Sequence, residues 1–358
     1  MKQIQNPRMN TARNEMRGRA GKLSRFLRCF VPAIFLANAA SGPTATALLD
    51  ELERRSADDG LAVVCIQNNR VWMKRFDGSD GIIRNPRDLS RAWFSARGDV
   101  VVWGIQGWWY RKDSPVCPSP VIVETIEGKL LWQLPSDIAA GPMSVSSDAE
   151  RVVFYGAFKP PGTCQITTQN KEKWVIGLQY VDRATKVVHL VPGVSEGPSA
   201  ITWAADGNSF AYDAQQRIFV YDIQSQSNRS VAEGTAPAFS PDGRLLAYRS
   251  ASGQALALDQ KTGETKLLFR GKKITWGVHW SPDSRYVMAA EDRTLAYDVM
   301  HGGLFDDKTR KMVIYRLADG ATVAGNWFAG PGFTDYGYFW VKDYRAFLHS
   351  AAIKPEIH

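Results

Sequence analysis

The stretch FSPDGRLLAY at residues 239–248 constrains the fold more than any other feature, because it recurs along the chain. Relatives stand at 203–212 (WAADGNSFAY), 280–289 (WSPDSRYVMA), 94–103 (FSARGDVVVW) and 145–154 (VSSDAERVVF). Each begins with a large apolar residue, passes through small residues and a turn, and continues as an alternating strand-like run. The starts at 94, 145, 203, 239 and 280 lie 51, 58, 36 and 41 residues apart. A period of about 40 residues with about four strands per unit is the signature of a propeller blade.

The motif has a local cause. Proline presets φ at the second turn position, aspartate bonds nearby backbone, and glycine accepts a positive φ. Such a turn joins an innermost strand to its neighbour, and runs such as RLLAYRS, ALALDQ and ETKLLF then supply the next three strands. The expected fold is all-β: a propeller over residues 61–350 with six four-stranded blades. The blades are expected at about 61–88, 90–138, 141–193, 197–232, 234–270 and 273–327. The first unit has no evident inner strand before LAVVCIQ, and GFTDYGYFWVKDYRAFLHS near the C-terminus is placed to supply it and close the ring. A seventh blade requires residues 328–350 to contribute more than one strand. A short helical segment is expected at 48–60, and 351–358 form a tail.

The formal net charge of +8 looks at first like a nucleic-acid signal. Residues 1–47, however, hold eight Lys or Arg and one acid, Glu15, so this leader carries +7 and the remainder about +1. A body near neutrality has no field to steer it to phosphate, and nucleic acid is not an expected partner. In the leader, basic residues precede the apolar run CFVPAIFLANAA (29–40), followed by Ala37-Asn38-Ala39 and Ala45-Thr46-Ala47, both suited to cleavage. The segment reads as a secretory signal peptide, with a basic tail and an uncleaved anchor as alternatives. No integral membrane span is expected once it is removed, and the chain is expected to be monomeric. Cys65 lies in an apolar run and reads as a buried thiol, whereas Cys117 and Cys164 lie in proline-rich loops where an oxidising compartment would permit a disulfide.

The repeats, aromatic-Ser-Pro-Asp-Gly-basic-x-aliphatic-Ala-Tyr, resemble those of the TolB-type six-bladed propeller family, a WD-like group. The resemblance covers most of residues 61–340 and is strongest at 200–290. It implies the propeller fold and a periplasmic or secreted setting. TolB carries an additional N-terminal α/β domain for which this N-terminus is too short, so its role in an envelope complex does not carry over.

Gly193-Val194-Ser195-Glu196-Gly197 fits the G-x-S-x-G nucleophile elbow, but that motif needs a strand before the serine and a helix after it. Pro198 and a strand-like run follow instead, so a blade linker is expected. The histidines His189, His279, His301, His349 and His358 show no ligand spacing, and the cysteines form no C-x-x-C pair. Neither a metal nor another cofactor is expected. Asp206, Asp242 and Asp283 recur in equivalent turns, so a structural role is expected rather than acid–base chemistry.

The pattern is interrupted between the second and third strands of three blades, near 104–120, 156–173 and 290–310. These insertions are expected on one rim, where binding loops of rigid scaffolds reside. They carry Trp108, Trp109, Tyr110 and Arg111, then Lys159, then His301, Phe305 and Asp306. Such aromatic anchors suit a protein, peptide or glycan partner; the alternative for Trp108 and Trp109 is to cap a blade. The leading expectation is a non-catalytic exported binding module or scaffold, and the rival is a hydrolase or lyase with its active site in the central channel.

Overall fold

A computed structural model describes residues 43–67, 70–76, 81–84, 91–104, 121–134, 138–158, 175–194, 196–291, 312–325 and 338–352. A helix, α1 (Pro43–Asp59), precedes β1 (Ala62–Gln67), β2 (Arg70–Arg75) and β3 (Gly81–Arg84). The second sheet is β4 (Arg91–Phe94), β5 (Val100–Gly104), β6 (Ile122–Thr125) and β7 (Leu130–Gln133). The third is β8 (Ile138–Val145), β9 (Arg151–Phe158), β10 (Val175–Asp182) and β11 (Val188–Leu190). The fourth comprises β12 (Ile201–Trp203), β13 (Ser209–Ala214), β14 (Arg217–Asp222) and β15 (Ser227–Glu233). In the fifth stand β16 (Thr235–Phe239), β17 (Leu245–Arg249), β18 (Ala255–Asp259) and β19 (Thr265–Leu267). The sixth holds β20 (Ile274–Trp280), β21 (Tyr286–Glu291), β22 (Met312–Arg316) and β23 (Thr322–Gly325).

The ring closes on β24 (Tyr338–Val341), which pairs antiparallel with β1 from Ala62↔Val341 to Cys65↔Tyr338 and becomes the inner strand of blade 1. The described strands thus make six four-stranded meanders, and the C-terminal segment supplies the missing strand. Among the described residues it supplies one strand, after which the chain turns into a second helix, α2 (Tyr344–Ala352). From sequence, this C-terminal segment reads as strand; the helix is a difference. Its cause is local: Asp343 accepts a hydrogen bond from the Arg345 amide (3.0 Å) as an N-cap, and Phe347 must be buried.

There is one apolar cluster per seam between blades rather than a single central core. Val152, Phe154, Val100 and Trp132 fill the seam of blades 2 and 3. Phe210, Trp203, Tyr180 and Leu178 fill that of blades 3 and 4. Each sheet is therefore apolar on both faces, which is why runs such as VVVWG are buried throughout.

Both terminal helices flank the closing blade. Leu48 and Leu52 of α1 join the cluster between blades 6 and 1, and Phe347 of α2 enters that between blades 1 and 2. Polar contacts tie the helices down. Glu51 accepts hydrogen bonds from Tyr286 and Arg316 and from Arg285 (2.7 Å), while Arg55 pairs with Asp283 at 2.6 Å. Arg345 donates to the carbonyls of Ala57 (3.4 Å) and Asp58 (2.9 Å) at the end of α1, satisfying groups that a helix C-terminus leaves open. Burial pushes the Glu51 carboxyl up, but the hydrogen bonds from Tyr286 and Arg316 and the charges of Arg285 and Arg316 outweigh it and hold it below its usual range.

Candidate functional site

The recurrent turn is built around serine as much as aspartate. In Ser240-Pro241-Asp242-Gly243, the buried Ser240 hydroxyl donates to Asp242 (2.5 Å) and accepts from the Leu245 amide (2.9 Å). Ser281 and Ser146 repeat this with Asp283 and Asp148. Blade 4 has Ala204 at that position, and Asp206 binds only the Asn208 amide there (2.9 Å). Asp242 and Asp283 also accept from the amides of Arg244 and Arg285, both at 3.1 Å. The fourth turn residue is left-handed in all five turns: Gly98, Ala149, Gly207, Gly243 and Ser284 have φ between 61° and 73°. Ser284 holds this conformation while its hydroxyl accepts the Asp242 amide of the preceding blade (3.1 Å).

These turns lie at one end of the blades, the turn face. The b–c connections and blade-to-blade linkers lie at the other, the linker face, because successive strands are antiparallel. The connections between β5 and β6, β9 and β10, and β21 and β22 hold the long insertions. Trp108, Trp109, Tyr110, Arg111, Cys117, Lys159, Cys164, His301, Phe305 and Asp306 all fall there and lie outside the described residues. Cys65 is a buried thiol in β1. The G-x-S-x-G string falls in the linker between β11 and β12, with Ser195 outside the described residues.

What the six sheets bring together is a central channel of about 600 Å³, lined by the inner strand of every blade. Along these strands buried seam residues alternate with channel residues. Phe94, Trp203, Phe239, Trp280 and Trp340 are buried, whereas Trp93, Thr202, Ala238, His279 and Phe339, each one residue earlier, are half-exposed. With Ser144 of blade 3 they form a ring of one residue per blade. Indole groups hold the ring together. Trp203 donates to the carbonyl of Ser144 (3.0 Å), Trp280 to Ala238 (2.9 Å) and Trp340 to His279 (3.1 Å). Blade 5 has Phe239 instead, and its backbone amide donates to the Thr202 hydroxyl (3.2 Å).

The ring is asymmetric. Blades 6, 1 and 2 present His279, Phe339 and Trp93, whereas blades 3, 4 and 5 present Ser144, Thr202 and Ala238. One wall is therefore aromatic and the other small and hydroxylated. His279 packs edge-on to Phe339 with ring centroids 5.8 Å apart, and burial pushes its imidazole down to about 4, so it is neutral near pH 7. It is the only ionisable side chain among the described lining residues. Asp213, a buried carboxylate, is hydrogen-bonded to lining residues Ser199 and Ala200. Its oxygens are occupied by the amides of Ser199 (2.9 Å) and Ala200 (3.1 Å) and by the Ser199 hydroxyl (2.7 Å). The inner strands are sheet edges, so Pro142 and Pro237 are tolerated, each at or beside a break in register.

Sequence reasoning names none of the channel residues as a site except as scattered members of strands. A signal existed in the alignment of the repeats: the residue before the motif's aromatic is W, S, T, A and H in successive units. Among the described residues there is no cluster of three metal-ligating side chains, and no helix is long and apolar enough to cross a membrane.

Comparison with known proteins follows the topology. A TolB from Acinetobacter baumannii matches 78% of this chain and 66% of its own, just under two thirds, at 13% identity and a TM-score of 0.49. A protein assigned as TolB from Agrobacterium tumefaciens matches 78% of this chain and 96% of its own, at 14% identity and a TM-score of 0.49. The six-bladed propeller fold itself is read from the strand pairing of the six four-stranded sheets. An auxiliary nutrient binding protein from Bacteroides thetaiotaomicron matches 55% of the propeller chain and 43% of its own, at 13% identity and a TM-score of 0.38. No protein-family model and no curated protein matches.

Proposed function

We propose that this chain is an exported, non-catalytic binding propeller whose central channel is the ligand site. Its linker face receives the protein, peptide or glycan to which that ligand belongs. The observation that carries the reading is the channel ring of Trp93, Ser144, Thr202, Ala238, His279 and Phe339 around about 600 Å³. That volume lies within the range of small-molecule sites, roughly 300–1,000 Å³, and the lining combines apolar walls with a few polar groups. A lone neutral imidazole beside hydroxyls orients a ligand by hydrogen bonds, whereas acid–base hydrolysis calls for partnered titratable groups. In this reading Trp108, Trp109, Tyr110, Arg111, Lys159, His301, Phe305 and Asp306 extend the site at the linker face, and a Cys117–Cys164 disulfide braces two insertions. Export rests on the +7 leader and its apolar run.

The test is a ligand screen by thermal unfolding on the mature chain and on Ala238→Trp, which fills the channel from a position now occupied by a methyl group. A bound ligand stabilises by RT ln(1 + [L]/Kd), about 2.7 kcal/mol at a hundredfold excess over Kd. Ligands that stabilise the wild type and not Ala238→Trp support the reading. Equal stabilisation of both places the site elsewhere and sinks it.

A further inference from the structure

We infer that the channel ligand is a neutral saccharide unit, seated with its C–H face on the arc His279–Phe339–Trp93 and its hydroxyl edge toward Ser144 and Thr202. The inference rests on the channel being the ligand site and adds the chemical class of the ligand. Charge is the first argument. Among the described lining residues nothing is charged near pH 7, since His279 is neutral there and Asp213 is occupied by three hydrogen bonds from the linker. An ionised ligand would be desolvated there without a counter-charge, which disfavours it. Carboxylates, ammonium groups and phosphates are therefore disfavoured as the part that enters the channel.

The arrangement of the lining is the second argument. The aromatic residues are contiguous around the ring, on blades 6, 1 and 2, and the hydroxyl residues are contiguous on blades 3 and 4. A ligand matching this has one apolar face and one edge dense in hydroxyl groups. A purely apolar ligand would leave the opposite wall's polar groups without partners, which costs affinity. A pyranose ring has both surfaces, with axial C–H groups on one face and hydroxyls around its rim. The third argument is hydrogen-bonding capacity. The Thr202 oxygen already accepts the Phe239 amide, so its proton is left to donate. Among the described residues no group hydrogen-bonds the ring nitrogens of His279, so a neutral imidazole offers one donor and one acceptor. Pro142 and Pro237 lack amide donors, leaving these stretches of the inner edge richer in acceptors. Groups that both donate and accept, as sugar hydroxyls do, fit such a wall.

The test is isothermal titration of the mature chain with glucose, N-acetylglucosamine and cellobiose. Glucuronate and glucosamine serve as charged counterparts, and indole as an aromatic without hydroxyls. Expected is saccharide binding at one site per chain, at least tenfold tighter for neutral sugars than for charged ones. Ala238→Trp abolishes it, Trp93→Ala weakens it at least tenfold, and Trp93→Phe restores most of that loss. Ser144→Ala weakens saccharides several-fold and leaves indole unchanged. Because Trp93→Ala also touches the seam of blades 2 and 3, Trp93→Phe and Ala238→Trp keep the test decisive if that variant fails to fold. Channel-blocked binding of indole or of a charged sugar, with no binding of neutral sugars, overturns the ligand class and leaves the channel as the site. Saccharide binding undiminished in Ala238→Trp overturns the channel reading itself. Absence of binding by every probe overturns the saccharide inference.

Discussion

Glu51 is where the N-terminal helix is fastened to the ring, and replacing it with glutamine isolates its charge while keeping its shape. Its side chain is 11% exposed and that of Arg316 is 17% exposed, so their ion pair is largely withdrawn from water. The pair with Arg285 contributes little, because that side chain is 54% exposed. Loss of a hydrogen bond to a charged partner costs about 1.5–3 kcal/mol. The loss is tempered because Arg316 keeps two hydrogen bonds to Asp319, at 2.8 and 3.0 Å. The sum is about 2 kcal/mol of destabilisation for Glu51→Gln near pH 7, with the urea midpoint lowered and the slope unchanged. In a domain of this size each kcal/mol moves the unfolding midpoint by about 2 °C, so Tm falls by about 4 °C. The pH dependence follows from the lowered carboxyl. A depressed folded-state pKa contributes stability that is fully present above the unfolded value, about 4.3, and is lost as pH falls through the folded value. Wild type and variant therefore differ at pH 7 and converge in acid. A difference below about 0.5 kcal/mol at pH 7, or one that persists unchanged in acid, would refute the clasp.

Other perturbations separate the remaining devices. Phe347→Ala should cost about 3–5 kcal/mol by the usual scale for buried aromatics, because the ring lies between Phe94 and Trp103 with centroids 5.8 and 6.3 Å away; denaturant unfolding checks it. Ser240→Ala should cost about 1–3 kcal/mol by orphaning the buried Leu245 amide, and the same assay reads it. Gly243→Ala should cost about 1–2 kcal/mol from φ 73° alone, with a further penalty because the new methyl meets the Ala205 Cβ at 3.0 Å. If the leader is removed on export, N-terminal sequencing of secreted protein should find a start at or before Pro43, since cleavage after Ala47 would strip the first turn of α1 ahead of the buried Leu48. A mature chain beginning at Leu48 with unchanged stability would show that turn to be dispensable.

The ring was legible because a four-strand unit repeats its turn chemistry: five copies of one decapeptide carried the blade boundaries, and the orphan first unit called for a C-terminal strand that β24 provides. Helix α2 was not legible, since YRAFLHSAA buries one aromatic and its neighbouring aromatics read as strand. The motif's aspartates were recognisable as turn residues; the serine recurs too, at Ser95, Ser146, Ser240 and Ser281, but its bond to an amide five residues on is visible only in the folded turn. The site was harder still. Channel residues come one per blade from the position before a conserved-looking feature, so Trp93, His279 and Phe339 are far apart in sequence and share an arc only once six sheets close.

The most direct test is cellobiose titrated into the wild type and into Ala238→Trp under the same conditions, with the unfolding midpoints of both checked first. One site per chain in the wild type, and none in a folded Ala238→Trp, is the predicted result. Equal affinity in the two would contradict it.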